Sequence, residues 1–118
     1  MKSPITRVEK PWGYEIIFAK TGQYVGKILH INKSHELSLQ YHREKEETVF
    51  LYSGKMTLVF EENPGTLVEI SLAAGECHHI PPGKRHRMIA VEDCEVFEVS
   101  TPQLDDVVRL EDRYGRVE

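Results

Sequence analysis

Leu39-Gln40-Tyr41-His42-Arg43-Glu44-Lys45-Glu46-Glu47-Thr48-Val49-Phe50-Leu51-Tyr52-Ser53-Gly54 is the stretch on which the fold turns. Residues two apart in a strand share a face, so Gln40 and His42 project together. Glu47 lies five positions beyond His42, the wrong parity for one uninterrupted strand. The hydrophilic Arg43-Glu44-Lys45-Glu46 offers a reversal that returns its carboxylate on the next strand, Thr48 to Tyr52, which stops at the Ser53-Gly54 turn.

Working outward, short apolar or alternating segments recur on both sides: Tyr14 to Ala19, Tyr24 to Ile31, Leu37 to Tyr41, Lys55 to Phe60, Leu67 to Leu72, Cys77 to Ile80, Arg87 to Val91 and Glu95 to Ser100. These are strand lengths. Thr21-Gly22, Asn63-Pro64-Gly65, Ala74-Gly75 and Pro81-Pro82-Gly83 supply the reversals between them. No run of a dozen residues before Thr101 has a 3.6-residue apolar period. Many closely spaced strands predict an all-β barrel or sandwich, because both hide the unpaired edges of an open sheet.

The chain has 118 residues, 40% hydrophobic and 29% charged, the size and composition of one folded domain. The expected barrel covers about 12–100, with an N-terminal arm over 1–11 and a C-terminal segment over 101–118. In that segment Asp105-Asp106-Val107-Val108-Arg109-Leu110 predicts a short helix or an extended arm lying over the barrel, outside its core. A net charge of −4 argues against a nucleic-acid partner, which needs a positive field, and Lys84-Arg85-His86-Arg87 reads as a solvated turn. Met1-Lys2-Ser3-Pro4 leads into polar residues and no apolar run approaches ~18 residues, so a cytoplasmic protein without a membrane partner is expected. Cys77 and Cys94 read as two reduced thiols.

A fourth donor joins Gln40, His42 and Glu47 if His86, which follows the stiff Pro81-Pro82-Gly83 corner, faces the same interior. Two imidazoles, a carboxylate and an amide oxygen suit one divalent cation, zinc foremost, with manganese, iron, cobalt or nickel as alternatives. The bland reading of the same residues is a structural hydrogen-bond network. His30 and His35 read as a strand and a surface histidine, and only one of His78 and His79 can face inward. Trp12 and Tyr41 read as packing.

The run Gln40-x-His42-x4-Glu47-x6-Gly54 resembles the first cupin motif, with Gln where many cupins carry His. Gly75-x5-Pro81-x-Gly83-x2-His86 resembles the second, with Ala90 where Asn is common. Lys10-Pro11-Trp12-Gly13, Leu37-Ser38-Leu39-Gln40-x-His42, Ile80-Pro81-x-Gly83-x2-His86-Arg87 and the run from Asp105 to Arg116 narrow this further. They resemble the type II mannose-6-phosphate isomerase domain, often fused to mannose-1-phosphate guanylyltransferase. No Gly-rich nucleotide-binding opening stands in these residues, so nucleotidyl transfer is not expected.

The resemblance implies a single-domain cupin, a jelly-roll barrel, that interconverts a phosphorylated aldose and ketose, with mannose 6-phosphate and fructose 6-phosphate as the first pair. The metal would polarise the oxygens at C1 and C2 while a base moves a proton through an enediol. It also implies Arg109 and Arg116 as phosphate-binding residues and a homodimer. Aligned on Gln40 and Glu47, Glu44, Lys45, Thr48 and Val49 stand where the domain has His, Arg, His and Trp. Lys45 keeps the charge of an Arg, whereas Thr48 cannot carry a proton as His does. The alternatives are a non-catalytic sugar-binding cupin and a metal-dependent oxygenase; Gln40 in place of an imidazole weighs against the second.

Overall fold

The computed structural model describes residues 2–117. Eleven strands follow one another: β1 (Thr6–Lys10), β2 (Gly13–Lys20), β3 (Val25–Ile31), β4 (Leu39–Tyr41), β5 (Glu47–Ser53), β6 (Lys55–Asn63), β7 (Thr66–Ala73), β8 (Cys77–Ile80), β9 (His86–Ala90), β10 (Cys94–Ser100) and β11 (Val108–Glu111). They form a six-stranded sheet ordered β1-β2-β3-β10-β5-β8 and a five-stranded sheet ordered β11-β4-β9-β6-β7. The pairings are antiparallel. Among the described residues no helix is long and apolar enough to cross a membrane.

Period-two alternation sets the register, as one buried face per sheet requires. On β5 Glu47, Val49 and Leu51 are buried, and on β10 Cys94, Val96, Glu98 and Ser100 are. The apolar core fills the space between the sheets: Leu29 and Ile31 of β3 and Val49 and Leu51 of β5 meet Met56 and Leu58 of β6 and Met88 of β9. The outer face of the six-stranded sheet is also apolar. Phe97 stacks on Tyr52 at 5.1 Å and on Phe50 at 6.3 Å between ring centres, and Phe18 covers Gly26.

The nine segments anticipated from the alternation are all strands. Two further strands come from the chain ends. Thr6–Lys10, expected within an arm, pairs with β2 as the edge of the larger sheet. The C-terminal segment takes the extended alternative, and β11 pairs with β4. No helix forms there: the Asp106 carboxylate is engaged by the amides of Arg43, Glu44 and Lys45, so it binds the barrel and caps nothing of its own.

Gly54 shows how tightly one motif position is drawn. Its φ is +97°, and a Cβ there would lie 2.2 Å from the carbonyl oxygen of Asp93. Both the left-handed backbone and the backbone obstruction penalise a side chain. Gly54→Ala is therefore expected to lower the unfolding free energy by roughly 2 kcal/mol or more; an unchanged urea midpoint would refute this.

Candidate metal centre

His42 follows β4, Glu47 opens β5 and His86 opens β9, and their donor atoms lie within 4.8 Å of one another. The corner between β8 and β9 brings the last of these in: the Gly83 amide donates to the carbonyl of His42 at 2.7 Å. Each imidazole is aimed by its other nitrogen. His42 Nδ1 lies 2.5 Å from the carbonyl oxygen of Asp106, and His86 Nδ1 lies 2.9 Å from that of Lys84. A carbonyl only accepts, so both Nδ1 atoms carry hydrogen and both Nε2 atoms turn inward. There they meet Glu47 Oε1, His42 Nε2 at 3.3 Å and His86 Nε2 at 3.2 Å.

The three side chains are buried, with 3%, 2% and 1% of their area exposed for His42, Glu47 and His86. His86 Nε2 has no aligned hydrogen-bond partner. Three polar atoms facing one another out of water need a positive charge among them, a proton on an imidazole Nε2 or a shared cation. Donors that share an ion at about 2.1 Å sit roughly 3.0–3.4 Å apart along adjacent edges, and the two separations from Glu47 Oε1, 3.3 and 3.2 Å, match. The residues fit a divalent metal, and their outward bonds to backbone carbonyls are the kind that orient metal-bound histidines.

Gln40 lines the same cavity as His42 and is paired in register with His86 across β4 and β9. Its amide oxygen accepts a hydrogen bond from Ser38 Oγ at 2.7 Å. Lys45 is buried beside the centre, its Nζ 3.2 Å from Glu47 Oε2 and 3.2 Å from Glu98 Oε2. Burial would lower the Lys45 ammonium, but Glu98 and Glu47 outweigh it and hold its pKa above the usual lysine range. Burial alone would raise the Glu47 carboxyl; His42, His86 and Lys45 outweigh it and hold it well below the carboxylate range. Arg109 and Arg116 line the cavity, Arg116 with its guanidinium on Asp112 at 2.8 and 3.1 Å.

The cavity, of about 460 Å³, opens beside the centre and is walled by β1 to β4, β10 and the segment from Leu104 to Arg116. Sequence reading missed Glu98, Lys27 and Glu15, all buried and all facing it. A signal was present for two of them: Glu98 shares strand parity with buried Val96, and Lys27 with buried Val25 and Leu29. Burial, then the Glu47 carboxylate, push the Glu98 carboxyl above its ordinary range against the pull of Lys45 and Lys27. Thr48, where the resembling domain has His, pairs with Val99 and His79 on the outer face, so that difference removes nothing from the cavity. His78 stands edge-on to Phe60 at 4.5 Å, whereas exposed His79 pairs with Glu46 at 2.5 Å.

Residues 27–100 match the cupin domain family, and the chain belongs to it. It is 31% identical over 114 residues to the alginate biosynthesis protein AlgA of Pseudomonas putida, which covers 92% of this chain and 22% of that one. It is 33% identical over 116 residues to the mannose-1-phosphate guanylyltransferase ManC of Salmonella typhimurium, covering 93% and 23%. The chain thus spans under a quarter of the length of these relatives. KdgF from Halomonas sp. has the same fold, with a TM-score of 0.73 at 17% identity over 87% of this chain and 91% of that one.

Asp106 ties the tail to the centre, its carbonyl on His42 and its carboxylate on three amides of the loop before β5. The amides of Glu44, Lys45 and Arg43 hold that carboxyl at about 2, below its ordinary 3.8. A depressed pKa stabilises the fold above the unfolded value, and the contribution disappears as pH falls through about 2. Asp106→Asn should therefore be less stable at neutral pH and should lose less between about pH 4 and 2. Urea unfolding at several pH values measures both, and identical acid limbs in the two proteins would count against this role.

Proposed function

We propose that the chain is a metal-dependent cupin that isomerises a phosphorylated sugar, with His42, Glu47, His86 and Gln40 as metal ligands. The observation that supports it is the convergence of two pre-oriented imidazoles and a buried carboxylate at the wall of a cavity that also holds a second buried carboxyl, Glu98, whose pKa burial raises. A bound divalent cation would supply Lewis acidity toward vicinal sugar oxygens. Glu98 holds and moves the proton between adjacent carbons, since a carboxyl raised by burial is poised nearer neutral pH. Lys45 fixes that carboxyl in place and balances its charge. Arg109 and Arg116 bind the phosphate. Similarity to an alginate biosynthesis protein and a mannose-1-phosphate guanylyltransferase favours mannose 6-phosphate as the first substrate to try.

A non-catalytic sugar-binding cupin is the second reading, favoured by Lys45 already pairing with both carboxylates. Elemental analysis followed by an anaerobic assay over aldose phosphates separates the two. The wild type is expected to carry metal and convert substrate, and His42→Ala to lose both. Glu98→Gln should keep its metal while kcat falls by roughly 10²–10⁴. Equal metal in wild type and His42→Ala would end the site assignment, and saturable binding without conversion would leave the second reading.

We also propose a homodimer formed through the apolar outer face around Phe18, Tyr52, Phe97 and Val99, all of which are exposed. Light scattering should give twice the chain mass, falling to one in Phe97→Glu. A monomeric wild type would dispose of the idea.

A further inference from the structure

The cavity has a second charged end that the metal chemistry does not use. Lys10 closes β1, Glu15 and Lys27 face inward from β2 and β3, and Arg109 and Arg116 come from the C-terminal segment; all five side chains line the cavity. Glu15 is shared: its Oε2 lies 3.4 Å from Lys27 Nζ and its Oε1 3.9 Å from Lys10 Nζ. Arg116 is matched by Asp112, and Arg109 has no ion pair among the described residues. Four cations against Glu15 and Asp112 leave two positive charges; the other carboxyls on this wall are Glu98, beside Lys27 but already paired with Lys45, and the exposed Asp105 at the rim.

Half-sheltered like charges repel, and this end is balanced only when an anion joins it. Lys10 registers the strain: burial first, then Lys27, Arg116 and Arg109, lower its pKa from the usual lysine value against the support of Glu15. The donors approach from strands of the larger sheet on one side and from the C-terminal segment on the other, an arrangement suited to a tetrahedral anion with three terminal oxygens and less suited to a planar carboxylate. Strands lie about 4.8 Å apart, so β3, carrying Lys27, is about 10 Å from β5, carrying Glu47. A six-carbon sugar with its reacting carbons at the metal ligands carries a terminal phosphate into this end.

We propose that Lys10, brought by the N-terminal strand, joins Arg109 and Lys27 to form a phosphomonoester subsite, with Lys10 as a specificity-determining residue for phosphorylated over free sugars. The proposal rests on the sugar-phosphate reading above and extends it to a residue outside both cupin motifs.

The test is calorimetric titration of the purified protein with mannose 6-phosphate, mannose and inorganic phosphate. Wild type should bind mannose 6-phosphate at least about tenfold more tightly than mannose, and should bind inorganic phosphate. Lys10→Met should lose about tenfold for both phosphate-bearing probes while keeping its mannose affinity and metal content, and Lys10→Arg should restore them. Wild type that fails to prefer mannose 6-phosphate, Lys10→Met that binds it as wild type does, or a loss that Lys10→Arg does not repair would each overturn the proposal. Failure of the isomerase reading looks different: phosphate then binds through Lys10 without conversion. Conversion with a KM unchanged in Lys10→Met would instead sink the subsite and leave the isomerase standing.

Discussion

The constraint from which the rest follows is a carboxylate, Glu47, held almost wholly out of water. An isolated buried ion of that size costs several kcal/mol even after relaxation, so each of its oxygens needs a positive partner. Oε2 has Lys45. Oε1 faces two imidazoles whose far nitrogens are already committed to carbonyls, and a cation shared among the three would complete the set. Lys45 in turn is buried and needs Glu98. Glu98 lies beside Lys27 in register, Lys27 pairs with Glu15, and Glu15 reaches Lys10 at the sheet edge. One ion has drawn a row of alternating charge across the inner face of β5, β10, β3, β2 and β1.

Such a row is a poor source of stability, since well-packed apolar residues of similar volume commonly do as well or better. The fold tolerates it because its two halves are unequal. Val49, Leu51, Met56, Leu58, Ile80 and Met88 form an almost fully buried apolar block on the β5, β6, β8 and β9 side, while the charged row and the cavity occupy the β1, β2 and β3 side. The apolar half fixes the register of β5 and β10, and that register places Glu47 and Glu98 on the inner face at no further cost. Buried charge retained against its thermodynamic disadvantage is a feature of sites, and here it lies along the wall of the cavity.

Strand alternation carried much of this into view before any coordinates. The nine central strands are legible because a one-residue slip would turn every buried side chain outward, so the pattern is strict. His42, Glu47 and His86 are legible as candidates because two motif spacings coincide. β1 and β11 are not, since edge strands have one neighbour each and Thr6–Lys10 is largely exposed, leaving little apolar contrast to read. Glu98 and Lys27 escaped for the opposite reason: their parity marks them as buried, but a charged residue at a buried position contradicts composition alone, and their partners stand 53 and 12 residues away; Glu15, between half-buried Gly13 and Ile17, had no parity signal. The orienting carbonyl of Asp106 carries no side-chain signature at all.

The origin of the cavity walls bears on how such a site changes. The cluster that would hold a metal is built from the middle of the chain, where the barrel's register and the corner bond from Gly83 to His42 over-determine its geometry. The opposite end comes from both extremities, β1 and the segment from Leu104 to Arg116, each attached through a single sheet edge, hydrogen bonds and ion pairs. Substitution at Lys10 or Arg109 alters what the cavity faces and leaves the three donors in place, whereas the Asp106 carbonyl that aims His42 and the Tyr114 ring that packs against the core tie the same segment to the barrel. Under the proposed function, chemistry and recognition would draw on largely different parts of one small barrel.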